Sequence, residues 1–185
     1  MYLRIALSLL IDGDWTDTAC FFQDIPLSKR ISQKETQEIW QKCIYNFEQY
    51  LKNEIQNNPD NGNRLNSFRQ EISDSCRKAA ETNQKLYRLT VPTGAGKTLS
   101  SLRFALYHAR KEQKNRIIYV APFTSILEQN AEEIRKATGL PSVVLEHHCN
   151  VICEEGEEEK YRNLTETWDS PIIVTTAVQI VRAHV

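Results

Sequence analysis

No stretch of this sequence approaches the run of about 20 apolar residues that crosses a bilayer, so no membrane span is expected. The apolar start, Ile5 to Ile11, is short and leads at once into Asp12 and Asp14, where a secretory leader would carry small residues for cleavage. A surplus of one charge is also missing: 23 Lys and Arg stand against 24 Asp and Glu, a net charge of −1. Without a bulk basic bias, any contact with nucleic acid must rest on local groups. Internal repeats are absent. The five cysteines (Cys20, Cys43, Cys76, Cys149, Cys153) are odd in number and scattered in spacing, which is most simply read as reduced thiols of a cytoplasmic protein.

What is present is an ordinary globular composition, 41% hydrophobic and 25% charged over 185 residues. That length holds one full domain and a smaller piece. The segment Asn57-Asn-Pro-Asp-Asn-Gly-Asn63 reads as a solvated connector. Before it the pattern is helical. Residues 3–11 are apolar on nearly all sides, and Trp40, Ile44, Phe47 and Leu51 mark one face of a helix over 36–55. After it, helix and strand alternate. The pattern predicts helices at 64–83, 98–112 and 124–137, and strands at 86–91, 116–120, 142–146 and 171–175. Short apolar strands separated by helices predict an α/β domain, a parallel sheet covered on both faces. The acidic run Glu154 to Lys160 reads as a solvated loop.

The strongest chemical signal lies between the strand predicted at 86–91 and the helix predicted at 98–112: Val91-Pro-Thr-Gly-Ala-Gly-Lys-Thr98. A triphosphate must be held by groups that replace water around concentrated negative charge. Glycines let backbone N–H groups turn inward, and the helix that follows adds the positive end of its dipole. Thr93, Gly94, Ala95 and Gly96 would form that cradle for ATP. Lys97 would reach the β- and γ-phosphates, and the Thr98 hydroxyl would hold magnesium. The longest form of the motif has glycine six residues before the lysine, where this chain has Val91. The shorter Pro-Thr-Gly-x-Gly-Lys-Thr form is the one superfamily 2 helicases use.

Other candidates are less defined. Gln70 stands upstream of the loop, where its amide could pair with the adenine edge; Arg69 is a second candidate for that task, and an exposed helix side chain is the plain alternative. His147, His148, Cys149 and Cys153 invite a zinc reading, but adjacent histidines leave a strand in opposite directions and no second cysteine pair follows. Glu146 ends an apolar strand and could hold magnesium through water in a small kinase.

Two further segments resemble helicase motifs. Ala121-Pro-Phe-Thr-Ser-Ile-Leu-Glu-Gln-Asn-Ala131 looks like motif Ia, and Val174-Thr-Thr-Ala-Val-Gln179 looks like the later Thr-Thr segment. Together with Leu145-Glu-His-His148 and Ser8-Leu-Leu-Ile-Asp-Gly-Asp-Trp-Thr-Asp-Thr18, they resemble the CRISPR-associated helicase–nucleases of type I systems, in which an HD-type nuclease domain precedes the helicase. The resemblance covers residues 3–22 and about 64–185. It implies a RecA-like P-loop lobe over 64–185, a helical linker over 31–63, and the end of the nuclease domain over 1–30, with Asp12 as a residual metal ligand. It also implies single-stranded DNA as partner, contacted by Phe123, Thr124, Ser125, Gln129, Asn130, Thr175, Thr176 and Gln179. The cofactors implied are ATP and magnesium for the lobe and a transition metal for an intact nuclease domain. The further partner is an RNA-guided surveillance complex.

The earlier His and His-Asp ligands of such a nuclease, the Asp-Glu box and the second motor lobe are not in the sequence. The expectation is therefore a piece of the helicase that binds ATP and is catalytically incomplete. Two alternatives stand beside it: a self-contained P-loop NTPase or small-molecule kinase, and a non-catalytic remnant that binds nucleotide or DNA.

Overall fold

The computed structural model describes residues 31–57, 64–147 and 168–183, with Leu10 and Gly13. The chain divides into two units, Met1–Ile31 and Ser32–Val185. In the first, Leu10 and Gly13 are helical, and Asp12 lies outside the described residues.

Helix α1 (Gln33–Asn57) starts where Ser32 and Glu35 cap it reciprocally. The Glu35 N–H donates to Ser32 Oγ at 3.2 Å and the Ser32 N–H to Glu35 Oε2 at 2.8 Å. This satisfies backbone donors that the first helical turn leaves without partners. Its apolar face is the one the sequence periodicity marks. Trp40, Cys43, Ile44 and Phe47 are buried in the main core. Trp40 Nε1–H finds an acceptor there, the Lys114 carbonyl at 2.8 Å. The segment expected as a linker therefore supplies core side chains to the lobe.

Helix α2 (Arg64–Ala80) packs on α3 (Lys97–Lys111). Strand β1 (Ile117–Ala121) leads into α4 (Thr124–Thr138), and a short 3-10 turn (Pro141–Val143) leads into β2 (Val144–His147). Strand β3 (Ile172–Thr176) is followed by α5 (Ala177–Ala183). The strands run parallel in the order β1-β3-β2. As the central strand, β3 buries Ile172, Ile173, Val174 and Thr175, the continuous burial expected of a parallel strand with neighbours on both sides.

The register puts Ile117, Tyr119, Ala121, Ile172, Val174 and Val144 on one face. These pack with Leu102 and Leu106 of α3, Leu127, Ala131 and Ile134 of α4, and the buried face of α1. On the opposite face Ile173 and Leu145 are buried, but Ile118 and Val120 of β1 stay about half exposed. Among the described residues, the helices cover one face of the sheet.

The strand predicted at 86–91 does not form: residues 86–92 are in neither helix nor strand. Their alternation is real, but a strand also needs a neighbour, and among the described residues β1 pairs only with β3. The apolar side chains find the helices instead. The Tyr87 ring packs on Phe104 with centroids 4.7 Å apart, and its hydroxyl donates to the Thr82 carbonyl at 2.9 Å while accepting from Gln84 N–H at 3.0 Å. Val91 packs with Ile72, Cys76 and Ala95. Leu86 is 86% exposed.

Helix α4 ends at Gly139, whose φ of 62° lies in the left-handed region and whose N–H donates to the Arg135 carbonyl at 3.0 Å. A Cβ at this position would stand 2.9 Å from Asn46 Nδ2, and that amide donates to the Thr138 carbonyl at 2.8 Å. Gly139→Ala is therefore expected to lower stability by about 1–2 kcal/mol from backbone strain alone, more if the Asn46 bond is lost. Thermal melting of the variant checks this; an unchanged melting temperature would show that the turn relaxes freely.

A charged tie joins three helices. The Arg103 guanidinium of α3, 6% exposed, forks onto both carboxylate oxygens of Glu48 of α1 at 2.8 Å each. It also donates to Asp74 Oδ1 of α2 at 2.7 Å and to Ser73 Oγ at 3.1 Å. Tyr107 donates its hydroxyl to Glu48 at 3.0 Å. Burial by itself lowers the Arg103 pKa; the hydrogen bonds and charges of Glu48 and Asp74 more than offset this and raise it.

Candidate nucleotide site and strand-end segments

The phosphate loop lies between the extended segment ending at Val91 and the first turn of α3. Gly94 and Gly96 have φ of 80° and 76°, values that side-chain-bearing residues rarely adopt. A Cβ at Gly94 would meet nothing within 4 Å, and one at Gly96 only the Arg69 side chain at 3.7 Å. Glycine is needed here for backbone conformation, and the cradle stays open. Between them Ala95 is buried against Ile72 and Cys76, which roots the loop in α2.

Gly96 is the N-cap of α3 and offers no side chain to the first-turn N–H groups. Those donors and the helix dipole face the loop. Thr93 and Lys97 are exposed. Lys97, the first residue of α3, forms no ion pair among the described residues. The loop can therefore offer an anion backbone N–H groups and an exposed cation, the donor set a triphosphate requires.

Three contacts hold the loop in shape. Arg69 of α2 donates through Nε and Nη2 to the Gly94 carbonyl at 3.0 and 2.8 Å. That ties the loop to α2 through the Gly94 carbonyl. Ser101 Oγ donates to the Tyr119 hydroxyl at 2.5 Å, and that hydroxyl in turn donates to the Thr98 carbonyl at 3.4 Å. Burial keeps Tyr119 protonated by pushing its phenol far above the usual range. The Thr98 hydroxyl donates to Asn130 Oδ1 at 3.0 Å.

Gln70 is exposed on α2, and it is the neighbouring Arg69 that reaches the loop. Asn130, expected as a DNA contact, accepts a hydrogen bond from the Thr98 hydroxyl. In the sequence Arg69 stands as a second candidate for the adenine edge and Asn130 within the segment that looks like motif Ia; their contacts with the loop left no signal there.

The two strand-end segments come together through the sheet. Ala121 of β1 pairs with Thr176 of β3, so Phe123 to Ser125 and Ala177 to Gln179 leave the same sheet edge side by side. Phe123, 65% exposed, is the N-cap of α4 and makes no side-chain cap. Ser125 and Gln129 are exposed, and Thr124 is half-buried. Thr176 caps α5, accepting from the Gln179 N–H at 3.4 Å. Thr175 is fully buried and donates its hydroxyl to the His147 carbonyl at 2.9 Å, so only its backbone is near this edge.

The remaining candidates separate from the site. Glu146 is salt-bridged to Arg135 at 2.9 Å. His147 Nδ1 accepts from Trp168 Nε1 at 3.0 Å. His148, Cys149 and Cys153 lie outside the described residues, among which no group of three His, Cys, Asp or Glu stands together to hold a metal. Both described cysteines, Cys43 and Cys76, are free and buried, and burial pushes the Cys43 thiol up to about 12. No helix among the described residues is long and apolar enough to cross a membrane.

A glycine loop at the start of α3, beside parallel strands whose C-terminal ends carry exposed polar segments, defines an α/β P-loop lobe of the RecA-like kind. The chain belongs to the family described as "Type III restriction enzyme, res subunit", which matches residues 41–184. That family places it among superfamily 2 helicase-type ATPases, which use ATP with magnesium and act on nucleic acid. No curated protein matches the chain.

Proposed function

We propose that this lobe is the first motor lobe of a translocase on single-stranded DNA, and that the intact protein couples ATP hydrolysis to DNA cleavage as a CRISPR-associated helicase–nuclease. On this reading residues 1–30 end an HD nuclease domain, with Asp12 a ligand of its transition metal, and an RNA-guided surveillance complex recruits the protein. The lobe over 64–185 would move 3′ to 5′ on DNA.

The observation that supports the motor reading most is the proximity of the nucleotide loop to the strand-end segments. Thr98 is hydrogen-bonded to Asn130 of α4, and α4 begins with Phe123, Thr124 and Ser125 at the edge shared with Thr176 and Gln179. ATP would be held by the N–H groups of the loop, with Lys97 set against the β- and γ-phosphates. Magnesium would be held by the Thr98 hydroxyl and would neutralise phosphate charge. Phe123 offers a face on which a base can stack, and the hydroxyls of Thr124 and Ser125 with the uncapped N–H groups of α4 suit phosphates of one strand. Such contacts grip without reading sequence. The salt bridge from Arg135 to Glu146, the magnesium candidate of the kinase alternative, favours the motor reading.

Substituting Thr124 and Thr176 by alanine tests the DNA track. Thr176 is a cap, so its loss should cost about 0.5–2 kcal/mol; Thr124 caps nothing and should cost little. If the track is real, the double variant, once folded, binds single-stranded DNA of any sequence more weakly and by a similar factor. Lower melting temperature with unchanged DNA affinity would reduce both residues to helix-end roles.

A further inference from the structure

We infer that Asn130 is a positioning residue of the nucleotide site: by accepting the Thr98 proton it turns a lone pair of the Thr98 hydroxyl toward the metal that accompanies ATP. The inference rests on the nucleotide reading of the loop and adds a residue to it.

A threonine hydroxyl has one proton and two acceptor lone pairs. To serve a cation it must present a lone pair, so its proton must go to an acceptor on another side. Left to rotate, the proton would face the metal part of the time. In this structure the proton has a fixed destination, Asn130 Oδ1 at 3.0 Å, on a half-buried side chain of α4. The backbone of the same threonine is fixed independently, since its carbonyl accepts from Tyr119, whose hydroxyl is paired with Ser101. With its proton committed to Asn130, the hydroxyl has only lone pairs to offer a cation. The geometry also explains why a polar residue stands on the inner part of α4, between the buried Leu127 and Ala131 and the buried Ile134. An amide whose only task was DNA contact would have no need to face α3.

The test is calorimetry of ATP binding to the full chain, with magnesium and with a chelator in its place. In the parent, magnesium should tighten binding, and Lys97→Ala should weaken binding in both conditions. Asn130→Ala is expected to bind metal-free ATP like the parent and to lose about three- to tenfold of the tightening by magnesium, the worth of one hydrogen bond. Asn130→Asp, of the same shape and an acceptor only, is expected to restore it. If alanine leaves a folding defect, seen as a lost melting transition, Asn130→Leu of similar volume repeats the comparison without an acceptor. A full magnesium effect in the alanine or leucine variant would overturn the assignment. So would an equal loss with and without magnesium, which would mean that Asn130 merely supports the loop. If Lys97→Ala binds ATP as the parent does, the nucleotide reading itself falls, and the role of Asn130 falls with it.

Discussion

Lys97→Ala lowers the affinity for ATP about ten- to a hundredfold, since a hydrogen bond to a charged group contributes roughly 1.5–3 kcal/mol. The size of the effect comes from what lies around the side chain. Lys97 opens α3, directly after two glycines that hold the loop open, and it forms no ion pair among the described residues. Its charge is therefore available to phosphate, and removing it leaves no buried partner behind. Alanine is also a good helix former, so the melting temperature should hardly move. Calorimetry on variant and parent decides the matter. Equal affinities would remove the nucleotide assignment, whatever the loop looks like.

Arg103→Met destabilises the lobe by about 3–5 kcal/mol, the usual consequence of removing one partner of a buried ion pair. Methionine fills most of the volume, so the loss is electrostatic. Glu48 then keeps its charge beside Tyr107 with the forked donor gone, and Ser73 and Asp74 lose a donor as well. Glu48 dominates this figure. The side chain of Asp74 is 47% exposed, and water screens much of its share. Denaturant unfolding gives the number. A change below about 1 kcal/mol would show that the tie behaves like an ordinary surface pair. A companion variant that also replaces Glu48 by Gln should recover part of the loss, because the uncompensated charge is then gone.

Much of the architecture was legible from side-chain period alone. The predicted helices at 98–112 and 124–137 and the predicted strands at 116–120 and 171–175 differ from the observed elements by about one residue at each end. Glycines at positions requiring positive φ, followed by Lys-Thr, made the loop readable before any fold was known. What could not be read was anything that depends on a neighbour distant in the chain. The alternation at 86–91 specified a period and not a ladder partner, and Tyr87 and Val91 went to the helices. Thr175 and Thr176 look equivalent in sequence, yet the register buries one hydroxyl and leaves the other to cap α5. Arg103 interrupts an apolar helix face between Leu99, Leu102 and Leu106, which signals a buried charge; its partners, 55 residues back in α1 and 29 back in α2, left no local trace. The same holds for Asn130, 32 residues from the hydroxyl it accepts from.

The place of α1 sets where this lobe can be cut. Family likeness begins at residue 41, inside that helix and one residue after Trp40. An expressed piece that starts at 41 would discard the capping turn at Ser32 and the indole that closes over Lys114, and would leave the rest of the helix to begin unsupported. One that starts at the Asn-rich connector would also strip Cys43, Ile44 and Phe47 from the core and leave Arg103 without Glu48. The smallest piece able to fold as this lobe therefore starts at or before Ser32. A shorter piece that fails to bind nucleotide would be reporting a severed helix and would carry no information about the loop.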